Sequence, residues 1–483
     1  MKAWVTALLV ALCPPMALGA SYDLVIHGGR VLDPETGLDA VRDIGITGDR
    51  ITRISETALE GARVIDARGL VVAPGFIDLH QHAQDDASGL LKAFDGVTSG
   101  LEMEIGVPDV KAFLASKSGH ALINYGTTAS HSAARAAAFG EPLTGEDLIP
   151  ASGRVASEPA SADQLEQMET RLQAELDAGA LGIGMGIQYV PGATRQEVIR
   201  IFRLAAGRHV PVFTHVRSAG RKEPGSSIES VGEVIAAAAV TGAALQIVHI
   251  NSSCMTDAPE CLAMIAGARA RGLDVTTEAY PYIAGMTEIN SALFDSGWQE
   301  KFGISYDALV LPDTGERLTK QRFDELHASS KSTPVMLFIN RQDVVDGVIA
   351  DALVSIASDG EMGHPRNAGS FSHVLARYVR ELRTVTLMDA IRKMSLMPAQ
   401  RLERATPAAR RKGRIQEGAD ADVVVFDLAK ITDRATYERP REHSTGMRYV
   451  VVNGVIVINA GNVVPNVAPG RGITGQSDPG KSK

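Results

Sequence analysis

Two histidines two residues apart, His80 and His82, close the stretch Gly75-Phe-Ile-Asp-Leu-His-Gln-His82. The apolar residues Phe76, Ile77 and Leu79 read as strand, and alternate residues of a strand share a face. Two imidazoles so placed form a chelating pair for a borderline divalent ion such as Zn2+. A bare His-x-His is weak, because surface coincidence often produces it. Three further residues strengthen it. His215 follows Val212-Phe-Thr, His249 follows Gln246-Ile-Val, and Asp359 follows Val354-Ser-Ile-Ala-Ser. In a parallel barrel the C-terminal strand ends face one another across one mouth. All five residues then share a site, where Asp359 adds a carboxylate able to bind metal and move protons.

The elements around these residues fit that arrangement. Between residues 74 and 409, short apolar strands alternate with Ala-, Leu- and Arg-rich helical stretches. Repeated strand–helix units imply a parallel sheet. The length suits an α/β fold of the (β/α)8 TIM barrel type, typically ~250 residues with room for insertions. A doubly wound sheet would want a Gly-rich phosphate turn after its first strand, and none is present. Residues 21–73 and 410–465 read instead as short strands, with turns at Asp33-Pro34 and Gly48-Asp49 and a hairpin at Asn453-Gly454. They predict a small composite β-sandwich domain formed by both chain ends.

Composition narrows the function classes. The 483 residues carry 48 Lys and Arg against 57 Asp and Glu, a net charge of −9. With no basic cluster, this argues against nucleic acid as a partner. No apolar run reaches the ~18 residues of a membrane helix. Residues 1–20 read as a secretory signal peptide: a positive Met1-Lys2, an apolar run 3–12, a break at Pro14-Pro15 and small residues before position 21. The expectation is export, to the periplasm or outside, with no stable membrane span once the signal is removed. Two cysteines then remain, Cys254 and Cys261, either disulfide-bonded or free and buried. Residues 466–483, rich in Gly, Pro, Ser and Lys, predict a flexible tail.

The chain resembles the amidohydrolase superfamily, and within it the N-acyl-D-amino-acid deacylase (D-aminoacylase) branch. Beyond the His80/His82 motif, the resemblance is carried by Asp95-Gly-Val-Thr98, Tyr189-Val-Pro-Gly192, Thr214-His-Val-Arg217 and Tyr280-Pro-Tyr282. Ser358-Asp-Gly360, His364-Pro-Arg366 and the run 413–422 complete it. It implies a barrel beside a small β-sandwich and one or two Zn2+ ions at the barrel mouth. The implied reaction is hydrolysis of an N-acyl-D-amino acid, a small-molecule substrate, by hydroxide generated at the metal. His80 and His82 would hold one metal position, His215 and His249 the other, and Asp359 would bind metal and carry protons. His131 would support the pocket.

Two departures stand out. The family's bridging cysteine after the second strand is missing, and Glu102 and Glu104 stand there instead. A carboxylate can bridge two cations; Glu104, nearer the strand's end, is the first choice and Glu102 the second. A family lysine is replaced by Asn251, so the substrate carboxylate needs another cation. Arg366, in the loop with His364, is assigned to it, and Arg217 is assigned as a second anchor that would favour acidic side chains such as D-Glu. Tyr189, Tyr280 and Tyr282 are expected as pocket walls or hydroxyl donors. The alternatives are a cyclic amidase or dipeptidase on the same scaffold, or an exported metal-binding protein without catalysis, against which Asp359 argues. The sequence leaves the oligomeric state open.

Overall fold

The computed structural model describes residues 22–143, 149–329 and 331–476, so residues 1–20, expected to be a signal peptide, lie outside the described residues. Eight parallel strands form the centre. They are β1 (Phe76–Asp78), β2 (Val97–Val107), β3 (Asn124–Ser130), β4 (Ile183–Gly186), β5 (Val212–His215), β6 (Leu245–Ile247), β7 (Val275–Ala279) and β8 (Val354–Ile356). Neighbours pair in chain order. Beyond their ends the first and last meet: Gly360 N–H donates to His80 O at 3.1 Å, and His82 N–H donates to Gly360 O at 2.9 Å. A buried ion pair stitches the same seam. Lys92 Nζ lies 2.8 Å from Asp78 Oδ2, and Ser358 N–H donates to Asp78 Oδ1 at 3.0 Å.

Helices cover the outside. The helix Ala162–Asp177 begins with a capping box of Ser161 and Gln164 and buries Leu165, Met168, Leu172 and Leu176. That spacing of three and four puts one apolar stripe against the strands. Inside the barrel Ile77, Leu79, Leu101, Met103, Leu181, Phe213 and Val248 pack together with Leu402 and Ile473. Ile473 falls in the segment expected to be a flexible tail. Instead Ile473 N–H donates to Tyr125 O at 2.7 Å and Gly475 N–H to Gly179 O at 2.9 Å, because an apolar side chain is needed to fill the barrel floor.

Both chain ends enter one nine-stranded sheet. Val71–Pro74, just before β1, pairs antiparallel with Val423–Phe426. Ile26, Val31, Ile44 and Ile65 from one end share a core with Val423, Val425, Val451 and Ile456 from the other. Between β7 and β8 an insert adds a three-stranded sheet of Ala284–Glu288, Leu309–Val310 and Pro334–Phe338. The insert carries its own apolar cluster, including Phe294, Trp298 and Phe323. Cys254 and Cys261 are disulfide-bonded in the helical segment after β6.

Truncating Ile473 to Ala should cost about 2–4 kcal/mol, as for other buried aliphatic side chains. It would be read as a lower urea midpoint of unfolding; an unchanged midpoint would show that the tail does not belong to the core.

Candidate metal centre and active site

The barrel mouth gathers all five of the sequence-predicted strand-end residues around Glu104. Its two carboxylate oxygens face different ways. Oε2 lies 3.1 Å from His80 Nε2 and 3.2 Å from His82 Nε2. Oε1 lies 2.6 Å from His215 Nδ1 and 3.0 Å from His249 Nε2. Asp359 Oδ1 joins the first pair, 3.4 Å from His80 Nε2 and 3.2 Å from His82 Nε2. The result is two adjoining donor groups sharing one carboxylate: His80, His82, Glu104 and Asp359, and Glu104, His215 and His249. Glu104 reaches the centre because β2 breaks register with β3 between Glu102 and Val107. Gly106 supports that irregularity with a φ of +72°, and a Cβ there would meet Thr128 O at 2.5 Å.

Each imidazole is also held from behind. His80 Nδ1 bonds Glu278 Oε1 at 2.7 Å, and His82 Nδ1 bonds Glu102 Oε2 at 2.6 Å. His215 Nε2 bonds Gln188 Oε1 at 2.6 Å, and His249 Nδ1 meets Ser252 Oγ at 3.0 Å. With an acceptor on the outer nitrogen, the inner nitrogen keeps its lone pair for a metal. Glu102 therefore orients His82 rather than bridging, and its Oε1 accepts from Ile105 N–H at 3.1 Å. Glu278, Gln188 and Ser252 escaped the sequence reading. Glu278 had a signal, as a carboxylate within the short barrel strand Val275–Ala279.

Charge supplies the test of fit. Glu102, Glu104 and Glu278 are each at most 2% exposed and Asp359 is 7% exposed, while Arg366 is the buried guanidinium beside them. Burial pulls the His80 imidazole down, but Asp359, Glu104 and Glu278 outweigh it and raise its pKa to about 10. His82 is likewise held well above its ordinary value, chiefly by Glu102 and Asp359 against burial. Glu104 and Asp359 are held low despite burial, by the imidazoles and, for Asp359, first by Arg366. A cluster of buried carboxylates that draws protons onto His80 and His82 suits divalent cations, which replace those protons. Two ligands also occupy uncommon backbone conformations, His249 at φ +27° and Asp359 at φ +51°, as functional residues often do.

Above the cluster lies a cavity that Tyr189, Gln188, Tyr280 and Asp359 line. Tyr189 Oη meets Thr287 Oγ1 at 3.3 Å. Tyr280 carries the Arg366 guanidinium 4.9 Å over its ring. Arg366 Nη1 approaches Asp359 Oδ2 to 2.7 Å. Yet none of its three side-chain nitrogens, nor the Tyr280 hydroxyl, has a well-aligned hydrogen-bond partner among the described residues.

Other expected site residues are elsewhere. Arg217 forms a two-pronged pair with Glu233, at 2.8 and 2.6 Å, and donates to Pro191 O. It lies outside the cavity, because the helix Ser227–Thr241 brings its own carboxylate partner. His364 is buried behind the wall between Tyr282 and Tyr437, and its Nδ1 accepts the Arg366 backbone N–H. Tyr282 faces Asp433 at 3.4 Å. His131 closes a buried ion pair with Glu197, shared with Arg135.

Residues 63–458 match the amidohydrolase family. The chain belongs to that family. It is 32% identical to an N-acyl-D-glutamate deacylase of Alcaligenes xylosoxydans xylosoxydans, over 93% of this chain and 96% of that one. A D-aminoacylase of the same organism is 28% identical over 90% and 94%. The solved N-acyl-D-glutamate deacylase of Bordetella bronchiseptica, in complex with zinc and a phosphonate inhibitor, superposes with a TM-score of 0.79 at 27% identity. That match covers 94% of this chain and all of the other.

Two outcomes check the centre of this amidohydrolase. Glu278→Ala should weaken metal retention by about 10–100-fold against a chelator, because it frees the His80 ring. Metal uptake near neutral pH should release protons, since the apo His80 imidazole stays protonated up to about pH 10. Apparent affinity therefore rises with pH over that range. A buffer-independent binding enthalpy, with no proton release, would contradict it.

Proposed function

We propose that this amidohydrolase cleaves the amide of N-acyl-D-amino acids. The observation that carries the reading is the pairing of Asp359 with Arg366 beside the shared-carboxylate centre. An ionised carboxylate adjoins both a metal position and a buried guanidinium with free donors. Zn2+ is the ion proposed, held by His80, His82, Asp359 and Glu104 on one side and Glu104, His215 and His249 on the other. When bound, it supplies Lewis acidity for the amide carbonyl and a lowered pKa for water. The chain's residues do the rest. Asp359, ionised in its resting state, accepts the proton of the attacking water and returns it to the departing amine nitrogen. Arg366 and the Tyr280 hydroxyl grip the α-carboxylate, whose burial without a cation would cost several kcal/mol. Tyr189 closes the opposite side of the cavity.

The same proposal extends to location. The N-terminal 20 residues have the layout of a secretory signal, and the Cys254–Cys261 disulfide supports an oxidising compartment. A mature protein whose N-terminal sequence begins near Ser21 would bear this out; retention of Met1 would reject it.

Paired N-acetyl-D- and L-amino acids, offered to zinc-loaded protein, test the activity, and the D forms should be favoured. Asp359→Asn should lower turnover by ~10² or more while the fold survives. Arg366→Ala should raise KM at least tenfold for substrates with a free carboxylate and little for the matching primary amides. Indifference to the carboxylate would favour the cyclic-amidase alternative.

A further inference from the structure

The cavity reaches well beyond the metal centre, and its far side is apolar. Ile105, Ile149, Leu293, Phe302, Leu337 and Ile339 line it. They belong to one cluster rather than being scattered. Ile105 stands at the end of β2 and Ile149 beyond β3. The other four come from the insert, whose turn Ala292–Phe294 packs on the turn Ile187–Tyr189 beyond β4. Tyr280 and Asp359 line the opposite rim, beyond β7 and β8, with the Arg366 guanidinium buried behind them. Outside the metal centre the ionisable residues of the lining are Glu288 and Glu361, both acidic; no Lys or Arg is among the described lining residues.

An N-acyl amino acid spans its scissile amide with the carboxylate on the nitrogen side and the acyl chain on the carbonyl side. With the carboxylate at the Tyr280 rim, towards the Arg366 charge behind it, and the amide over the metal centre, the acyl chain runs towards the β2–β4 side. We infer that this wall takes an acyl group several carbons long, and that the cavity disfavours an acidic side chain. The inference rests on the deacylase reading and specifies its substrate. It runs against the expectation of D-Glu or D-Asp preference, since Arg217, the cation assigned to serve it, is paired to Glu233 outside the cavity. A second substrate carboxylate would lie beside the acidic Glu288 and Glu361 with no lining Lys or Arg to pair it, which is costly in a buried site.

The test measures kcat/KM of the zinc-loaded enzyme on two series. One holds D-alanine fixed and lengthens the acyl group from acetyl through butanoyl and hexanoyl to octanoyl. The other holds acetyl fixed and compares D-alanine, D-leucine and D-glutamate. Each methylene entering the wall should raise kcat/KM about fourfold until the wall is filled. N-acetyl-D-glutamate should be at least tenfold slower than N-acetyl-D-leucine. Ile339→Asp, at a half-buried lining position, should shrink the octanoyl-to-acetyl ratio. A flat acyl series, a dependence on side-chain length instead, or D-glutamate as the fastest amino acid would overturn the inference and leave the deacylase function standing. If no N-acyl amino acid is cleaved by protein that holds its metal, the deacylase reading itself fails, and this inference falls with it.

Discussion

A single carboxylate between two pairs of imidazoles sets the terms for the rest of the molecule. Glu104 serves both donor groups only if three strand ends bring four histidines within about 3 Å of its two oxygens. That demands a barrel that nearly closes, and the Asp78–Lys92–Ser358 contacts hold the seam where His80 and Asp359 meet. It also demands rings that do not rotate, which Glu278, Glu102, Gln188 and Ser252 secure. The acidity of this surround follows from the same need. Buried carboxylates are tolerable beside cations and expensive without them, so protonated His80 and His82 take the cations' place when metal is absent.

Much of this was legible in the residues. The histidines and Asp359 could be placed because a polar residue at the end of an apolar strand has few places to go but the barrel mouth. Glu104 could be ranked above Glu102 by its nearness to the strand end. Glu278 obeyed the same logic and went unread only because no histidine neighboured it in the chain. Arg217 and His364 were misassigned for a different reason. Their directions depend on partners supplied by packing: Glu233, 16 residues later, and Tyr282 with Tyr437, the latter beyond another domain segment. The tail failed as composition usually does. Gly and Pro report local freedom, and nothing local says that Ile473 fills a barrel floor.

The insert between β7 and β8 was the least readable part, being short-stranded and aperiodic, yet it shapes what the enzyme can admit. The barrel supplies the reaction centre. The insert's apolar cluster supplies the wall opposite the guanidinium. Chemistry and selectivity therefore reside in separate pieces of chain, and the second can change without disturbing the first.

The sheet that joins both chain ends bears on biosynthesis. Val71–Pro74 must wait for Val423–Phe426, about 350 residues later, before its second edge is covered. At 5–20 residues per second that is a delay of roughly 20–70 seconds. Through that interval the nascent chain presents an apolar strand edge of the kind that invites pairing between molecules. A chain that ends anywhere in the barrel lacks the strand that covers this edge.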